Sequence, residues 1–233
     1  MKQGIILNAS DPVTPSNLAA LTSLTATSAN ISDLTGLSLC AGLTTLNLED
    51  NLFTDLTPLS GLTGLTDLDL SSNVQIGDAG ALSGLTNLRY LKLSYDSLTS
   101  TSAFSGMTQL LNLDLYDNLI TTVSDLSGLT RLTLLDLNYN RVNGITNLSG
   151  LTQLTFLDLS NNQVGDISVL FGLTELTDLF LENNQIQDLQ ALVDNTGLGP
   201  NQTSIDVLNG NPLTGVNVAG QISQLRAKGC SVN

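Results

Sequence analysis

One hydrophobic phrase, L-x-x-L-x-L, recurs through most of the chain. It opens at Leu43, Leu65, Leu88, Leu110, Leu132, Leu154 and Leu176, with steps of 22, 23, 22, 22, 22 and 22 residues. The later leucines stay in register, as in Leu46 and Leu48, Leu91 and Leu93, or Leu157 and Leu159. Three positions on stands Asn51, Asn73, Asp96, Asn118, Asn140, Asn162 or Asn184. Self-similarity at this period predicts a solenoid, because no single copy can bury its leucines alone whereas stacked copies can.

Each position has a physical task. The L-x-L pair has strand periodicity, so both leucines point to one side, the interior. The Asn that follows turns the chain, and its amide can bond backbone groups of neighbouring coils as a ladder. A second apolar set, such as Val164, Ile167, Leu170 and Leu173, closes each coil from the opposite side. The connectors carry Ser-Gly or Phe-Gly steps (Ser127-Gly128, Ser149-Gly150, Phe171-Gly172) and have room for a turn or one 3-10 turn. The expected fold is an α/β solenoid: a right-handed superhelix with a concave parallel β-sheet, short 3-10 or turn connectors on the convex side, and a cap at each end.

The ends depart from the phrase. Residues 1–42 form an N-terminal cap and atypical first repeat, in which Leu21, Leu24, Ala26, Ala29, Ile31, Leu34 and Leu37 keep register with smaller residues. Cys40 falls where other copies have Leu62 or Leu129, which predicts a buried core thiol. Residues 43–193 hold the regular repeats. Residues 194–233 form a last atypical repeat and C-terminal cap. There Leu208, Asn211 and Leu213 restore the pattern after an insertion from Asp194 to Ser204. Val218 to Lys228 then predicts a short amphipathic helix with Ile222 and Leu225 on one face and Gly229 as its stop, and Cys230-Ser231-Val232 a terminal edge strand.

Composition narrows the chemistry. Hydrophobic residues make up 41% of the 233, but aromatic residues only 4% and Trp is absent, so the core is aliphatic. Seven Lys and Arg against 21 Asp and Glu give a net charge of −14. That surface repels nucleic acid and anionic membranes and favours basic partners, or serves solubility alone. The absence of His removes the commonest general base and transition-metal ligand. Cys40 and Cys230 sit near opposite ends, too far apart in a solenoid for a disulfide. No apolar run reaches membrane-spanning length. The opening Met1 to Leu7 is too short for a signal peptide, leaving an intracellular protein or one whose leader has been removed.

The copies, for example Leu154-Thr155-Phe156-Leu157-Asp158-Leu159-Ser160-Asn161-Asn162-Gln163-Val164, resemble bacterial leucine-rich repeats of the internalin-like class. Leu21 to Leu37 and Asn211-Pro212-Leu213 resemble the caps of secreted members, and the likeness covers nearly all of residues 18–232. It implies a binding scaffold, extracellular or on the cell surface. The first seventeen residues depart from it, with no evident capping helix.

Departures from the repeat mark the candidate site. Residues flanking the L-x-L leucines face away from the core and form columns across the sheet. All four tyrosines, Tyr90, Tyr95, Tyr116 and Tyr139, lie in those columns, with Phe156, Phe180 and Leu134. The core, already filled by leucine, does not require them. Strand preference alone can place aromatics on a sheet, but a contiguous apolar patch is a mark of binding surfaces. Lys92 and the row Asp114, Asp136 and Asp158 complete the candidate surface. The row suits a basic partner; as one flat line it lacks the wrapped oxygen shell of a calcium site, so no metal and no cofactor is expected.

Other signals are weaker. The glycosylation-type triplets at Asn8, Asn30, Asn147 and Asn201 are expected by chance in this composition, and the threonine row Thr63, Thr86, Thr108, Thr130, Thr152 and Thr174 shapes the turn into each strand. An enzyme has little footing: there is no His, phosphate loop or expected pocket, and exposure should leave Asp136 and Asp158 with ordinary pKa values. The expected function is therefore a protein-interaction module, a monomer that neither binds nucleic acid nor inserts into membranes. The alternative is a surface-adhesive or carbohydrate-binding array.

Overall fold

The computed structural model describes residues 14–199 and 203–233. Among them, ten parallel strands lie side by side in chain order, forming one open sheet. They are β1 (Ser23–Thr25), β2 (Thr45–Asn47), β3 (Asp67–Asp69), β4 (Tyr90–Lys92), β5 (Asn112–Asp114), β6 (Leu134–Asp136), β7 (Phe156–Asp158), β8 (Asp178–Phe180), β9 (Ser204–Asp206) and β10 (Ser231–Val232). From β1 to β9 the register pairs middle residue with middle residue, so Leu46, Leu68, Leu91, Leu113, Leu135, Leu157 and Leu179 form one buried row. A parallel pair needs a crossover. From β1 to β8 each crossover holds a short 3-10 helix, such as Ser124–Leu126 or Thr146–Gly150, whose Leu126 or Leu148 seals the far side of the coil.

The residue two beyond each strand-exit core residue, Ala26 in the first coil and Leu in the others, adopts a left-handed conformation: Ser28, Asp50, Ser72, Tyr95, Asp117, Tyr139, Asn161 and Asn183 all have φ between 50° and 63°. Next comes the ladder residue. Asn140 Nδ2 donates to the carbonyls of Leu115 in the coil before and Leu137 in its own, while its Oδ1 accepts from the Ile120 amide. Asn118, Asn162 and Asn184 repeat this arrangement. A buried amide in this place satisfies backbone groups that the turn would otherwise orphan.

The ends both agree with the sequence expectations and correct them. A helix, α1 (Pro15–Ala19), does precede the first strand. It opens with Pro at its first turn, and the Thr14 hydroxyl accepts from the Asn17 amide at 3.2 Å. Five mostly polar residues are too few to show helical periodicity, which is why the sequence pattern conceals it. In the eighth coil α2 (Gln190–Asp194) replaces the 3-10 turn, where Gln, Ala and Leu stand in place of Ser and Gly. In the last coil the core positions belong to Ile205 and Val207, both fully buried, and Leu208 is only half-buried. One extra residue between Val207 and Asn211 causes the slip, and Asn211 still bonds the carbonyls of Leu181 and Val207.

The C-terminal cap follows. The helix is α3 (Val218–Ala227), its Leu225 is buried, and Gly229 takes φ 98° beyond it. Strand β10 follows and pairs with β9. Cys40 is buried, and both cysteines are free thiols. The triplets at Asn8 and Asn201, and the opening Met1 to Leu7, lie outside the described residues. Among those described, no helix is long and apolar enough to cross a membrane.

Candidate functional site

The strand face turned away from the leucine core carries the residues singled out above. The columns read from the sequence are real neighbours. Tyr90, Asn112, Leu134, Phe156 and Asp178 sit side by side, and so do Lys92, Asp114, Asp136, Asp158 and Phe180. What looked in the sequence like one aromatic patch resolves into two clusters with Tyr90 standing between depressions.

The first cluster lies just beyond the strand exits. The rings of Tyr95 and Tyr116 meet edge to face at 4.9 Å, and those of Tyr116 and Tyr139 at 5.7 Å. Tyr116 is half-buried between the other two, which are 49% and 51% exposed. A hydrogen bond with Tyr95 is the largest influence on the Tyr116 phenol and, with burial, pushes its pKa up to about 12. Tyr95 and Tyr139 have φ of 58° and 54°, a region that side chains branching into bulky rings rarely occupy. Ser, Asp and Asn fill the same turn in the other coils, as local backbone bonding leads one to expect.

The second cluster is the tilted pair Phe156 and Phe180, 5.5 Å apart. Phe156 also walls a depression of about 260 Å³, with Tyr90, Lys92, Asn112, Asp114, Leu134 and Asp136 as its other side chains. A further depression of about 280 Å³ flanks Tyr90 on its other side, among Thr45, Asn47, Asp67, Asp69 and Lys92. Tyr90, 42% exposed, is the partition between them. Lys92 leans toward the earlier coil, with its Nζ 3.9 Å from Asp69, rather than toward Asp114.

The Asp row has a structural task that the sequence columns did not reveal. Asp69, Asp114, Asp136 and Asp158 each accept, through Oδ1, the backbone amide two residues on: those of Ser71, Tyr116, Asn138 and Ser160. This is an Asx turn closing each strand. Asn47 does the same for Glu49, so the residue type itself was the available signal.

The outer oxygens differ. Asp114 takes the Ser94 hydroxyl at 2.6 Å on that same Oδ1. Asp158 Oδ2 accepts from Asn138 Nδ2 at the end of an amide relay running from Asn183 through Asn161. Asp136 Oδ2 forms no hydrogen bond among the described residues, and Asp136 lines the depression.

The expectation of ordinary carboxylates here is overturned. Burial, with Asp158 and Asp114 alongside, pushes the Asp136 carboxyl up to about 7 against the pull of the Asn138 amide. Burial raises Asp158 as well, opposed by its bonds to Ser160 and Asn138. The row is half-buried to buried because the neighbouring aromatic and amide side chains crowd it. Asn112 and Asn138 were not among the expected site residues. Asn112 lines the depression and Asn138 bridges two acids; both sit in the columns, but neither departs in type from the repeat. Among the described residues no group of three or more acidic or sulfur ligands gathers as a metal would need.

The sequence matches the Leucine rich repeat family over residues 41–98 and 97–142, and the two-copy Leucine Rich repeats family over residues 152–194. No curated protein sequence matches it. Among solved structures it is similar to an internalin C2 from Listeria monocytogenes strain 4b F2365, at 30% identity and a TM-score of 0.66, covering 97% of this chain and 87% of that one. It is also similar to an internalin F of the same strain, at 25% identity over 97% of this chain and 90% of that one, with a TM-score of 0.46. A leucine-rich-repeat protein of Leptospira interrogans, at 21% identity and a TM-score of 0.71 over 94% of this chain and 62% of that one, shares the fold. The repeat matches, and a relative this similar along most of its own length, place the chain in the internalin-like family of bacterial leucine-rich-repeat proteins.

Proposed function

We propose that the chain is a protein-binding module, not an enzyme, and that it holds its partner on the outward strand face through Tyr95, Tyr116 and Tyr139. One observation carries this reading: two tyrosines occupy a left-handed turn where the fold elsewhere uses Ser, Asp or Asn. Such a backbone costs on the order of 1 kcal/mol for a bulky residue, and nothing in the core is gained by it. Exposed, mutually supported tyrosine rings are the composition of interaction hot spots.

The partner is a basic protein segment. The depression between Tyr90 and Phe156 offers aromatic walls, the apolar Leu134 and the unbonded Asp136 Oδ2, which together suit a Lys or Arg side chain. Phe180 and Asp158 extend this surface toward the C-terminal coils, and the net charge of −14 steers a basic partner toward it. The family likeness supports a site outside the cell or on its surface.

The test combines Tyr95→Asn, Tyr116→Ser and Tyr139→Asn in one variant. It should lose at least a hundredfold in affinity for a basic partner selected by the intact protein from a displayed peptide library. Its circular dichroism and Tm should stay close to those of the parent. Undiminished affinity in a folded triple variant would sink the reading.

A further inference from the structure

The asparagine ladder has one irregular rung. At seven coils the rung is Asn, and at the fourth it is Asp96. Asp96 is 8% exposed. Its Oδ1, like an Asn oxygen on this ladder, accepts a backbone amide of the preceding coil, here that of the rung residue Asn73 itself at 2.9 Å rather than that of the residue two further on. That leaves Oδ2 where the other rungs have the amide nitrogen, and Oδ2 is buried without a partner.

The carbonyls record the same gap. Each Asn amide bonds the carbonyl of the strand-exit core residue in its own coil and in the coil before, a Leu except at Ala26 and Val207. The carbonyls of Leu48, Leu115, Leu137, Leu159 and Leu181 therefore each receive two ladder amides. Those of Leu70 and Leu93 receive one each, from Asn73 and Asn118. The two missing donors are those an amide at position 96 would supply. An ionised carboxylate there would point a bare acceptor at two acceptors, which burial makes costly.

We propose that Asp96 is a neutral carboxylic acid in the folded protein, its Oδ2–H donating to the Leu93 or Leu70 carbonyl, and that this proton makes the fourth coil the pH-sensitive joint of the solenoid. Geometry is the basis: the burial, the orphaned oxygen and the two under-bonded carbonyls. The shift of the group agrees, since burial, opposed by the Asn73 amide and aided by the Asp69 charge, pushes it up to about 8.

The charged groups on the adjoining elements are Asp67 and Asp69 on β3, Arg89 and Lys92 about β4, Asp78 in the preceding connector, and Asp114 and Asp117 about β5. Lys92 is largely exposed and pairs with Asp69, Arg89 is exposed, and among the described residues no Lys or Arg forms an ion pair with Asp96. The joint is local. The third coil has the extra residue of the 23-residue step, and within it the Asn73 Oδ1 is also buried and unpartnered. Tyr95, one residue before Asp96, donates its amide to the Tyr116 carbonyl, so the joint adjoins the tyrosine cluster without depending on that cluster's function.

The sign follows from the proton count. The folded state keeps a proton on Asp96 that the unfolded chain releases near pH 4, so stability falls as pH rises from there toward the folded value and is constant above it. Asp96→Asn supplies the amide of the other rungs and removes that dependence. The experiment compares the folding equilibria of the parent and Asp96→Asn by urea unfolding between pH 5 and pH 9. The ratio of the two constants should move about tenfold per pH unit in favour of the variant from pH 5 toward pH 8, then level off. Asp136 and Asp158 titrate in both proteins and cancel in the ratio. A carboxylic-acid carbonyl band present at pH 7 in the parent and missing from the infrared difference spectrum with Asp96→Asn gives a second readout. A ratio flat over pH 5 to 8 with no such band would overturn the proposal.

Discussion

Tyr95 and Tyr139 show how a single residue can serve the surface at the expense of the backbone. Each sits at positive φ, and each gives one edge-to-face ring contact to Tyr116. The left-handed conformation costs about 1 kcal/mol, and a ring contact of this kind contributes about 0.5–1.5 kcal/mol. The two nearly cancel. Tyr139→Asn should therefore change the unfolding free energy by no more than about 1 kcal/mol while lowering partner affinity at least tenfold. A denaturation curve beside a binding isotherm checks both, and a large loss of stability would move these residues from the surface to the fold. Tyr identity and column were legible in the sequence. The strain was not, because φ depends on where the turn falls relative to the strand exit, and the Asx turns that fix that exit come from Asp residues that looked like surface charges.

At the scale of the element, the repeating unit is a strand, a left-handed turn and an amide rung. Asn140 illustrates its energetics. Replacing it with Ala removes the bonds to the Leu115 and Leu137 carbonyls and leaves the buried Ile120 amide without its acceptor. Unsatisfied buried groups cost about 1–3 kcal/mol each, so Asn140→Ala should destabilise by about 3 kcal/mol or more at every pH, read by urea unfolding. Asn140→Asp should instead be tolerated at low pH and penalised as pH rises through neutrality, reproducing at a regular coil what is proposed for Asp96.

These elements were legible because leucine spacing and the Asn that follows each report a distinct physical demand. The strands from Leu43 onward and the amide ladder emerged from periodicity alone. Helix α1 and the Ile205–Val207 register did not, since one is too short for a period and the other follows an insertion that resets it. The raised Asp136 carboxyl was hidden for a related reason. Period-2 alternation says which way a side chain points, but not how far Asn138, Phe156 and the two flanking acids close over it.

At the scale of the whole molecule, stacked coils touch only their neighbours along the chain, so stability is a sum of local terms and opening begins at the ends. The two thiols report on the two ends. Burial raises both, Cys40 by burial alone and Cys230 against a lowering influence from Lys228, so neither reacts until its surroundings open. Their surroundings differ. Cys40 lines an apolar groove of about 390 Å³ with Leu18, Leu24, Ile31 and Leu39, of which Leu39 is 49% exposed. Strand β1 beside it has only a half-buried central residue. Both amides are bonded, Cys40 to the Leu37 carbonyl and Cys230 to the Leu225 carbonyl, but Cys230 lies between α3 and β10 and is followed by the β9 pairing and by Asn233 bonded to Asp206. The groove and the exposed Leu39 bring solvent close to Cys40, so a thiol reagent at pH 8 should label Cys40 several times faster than Cys230. Mass spectrometry of Cys40→Ser and Cys230→Ser separates the two rates. Faster labelling of Cys230 would place the weak end at the C-terminal cap and would show that burial of leucine, more than the bonds of the cap, decides where this solenoid begins to unwind.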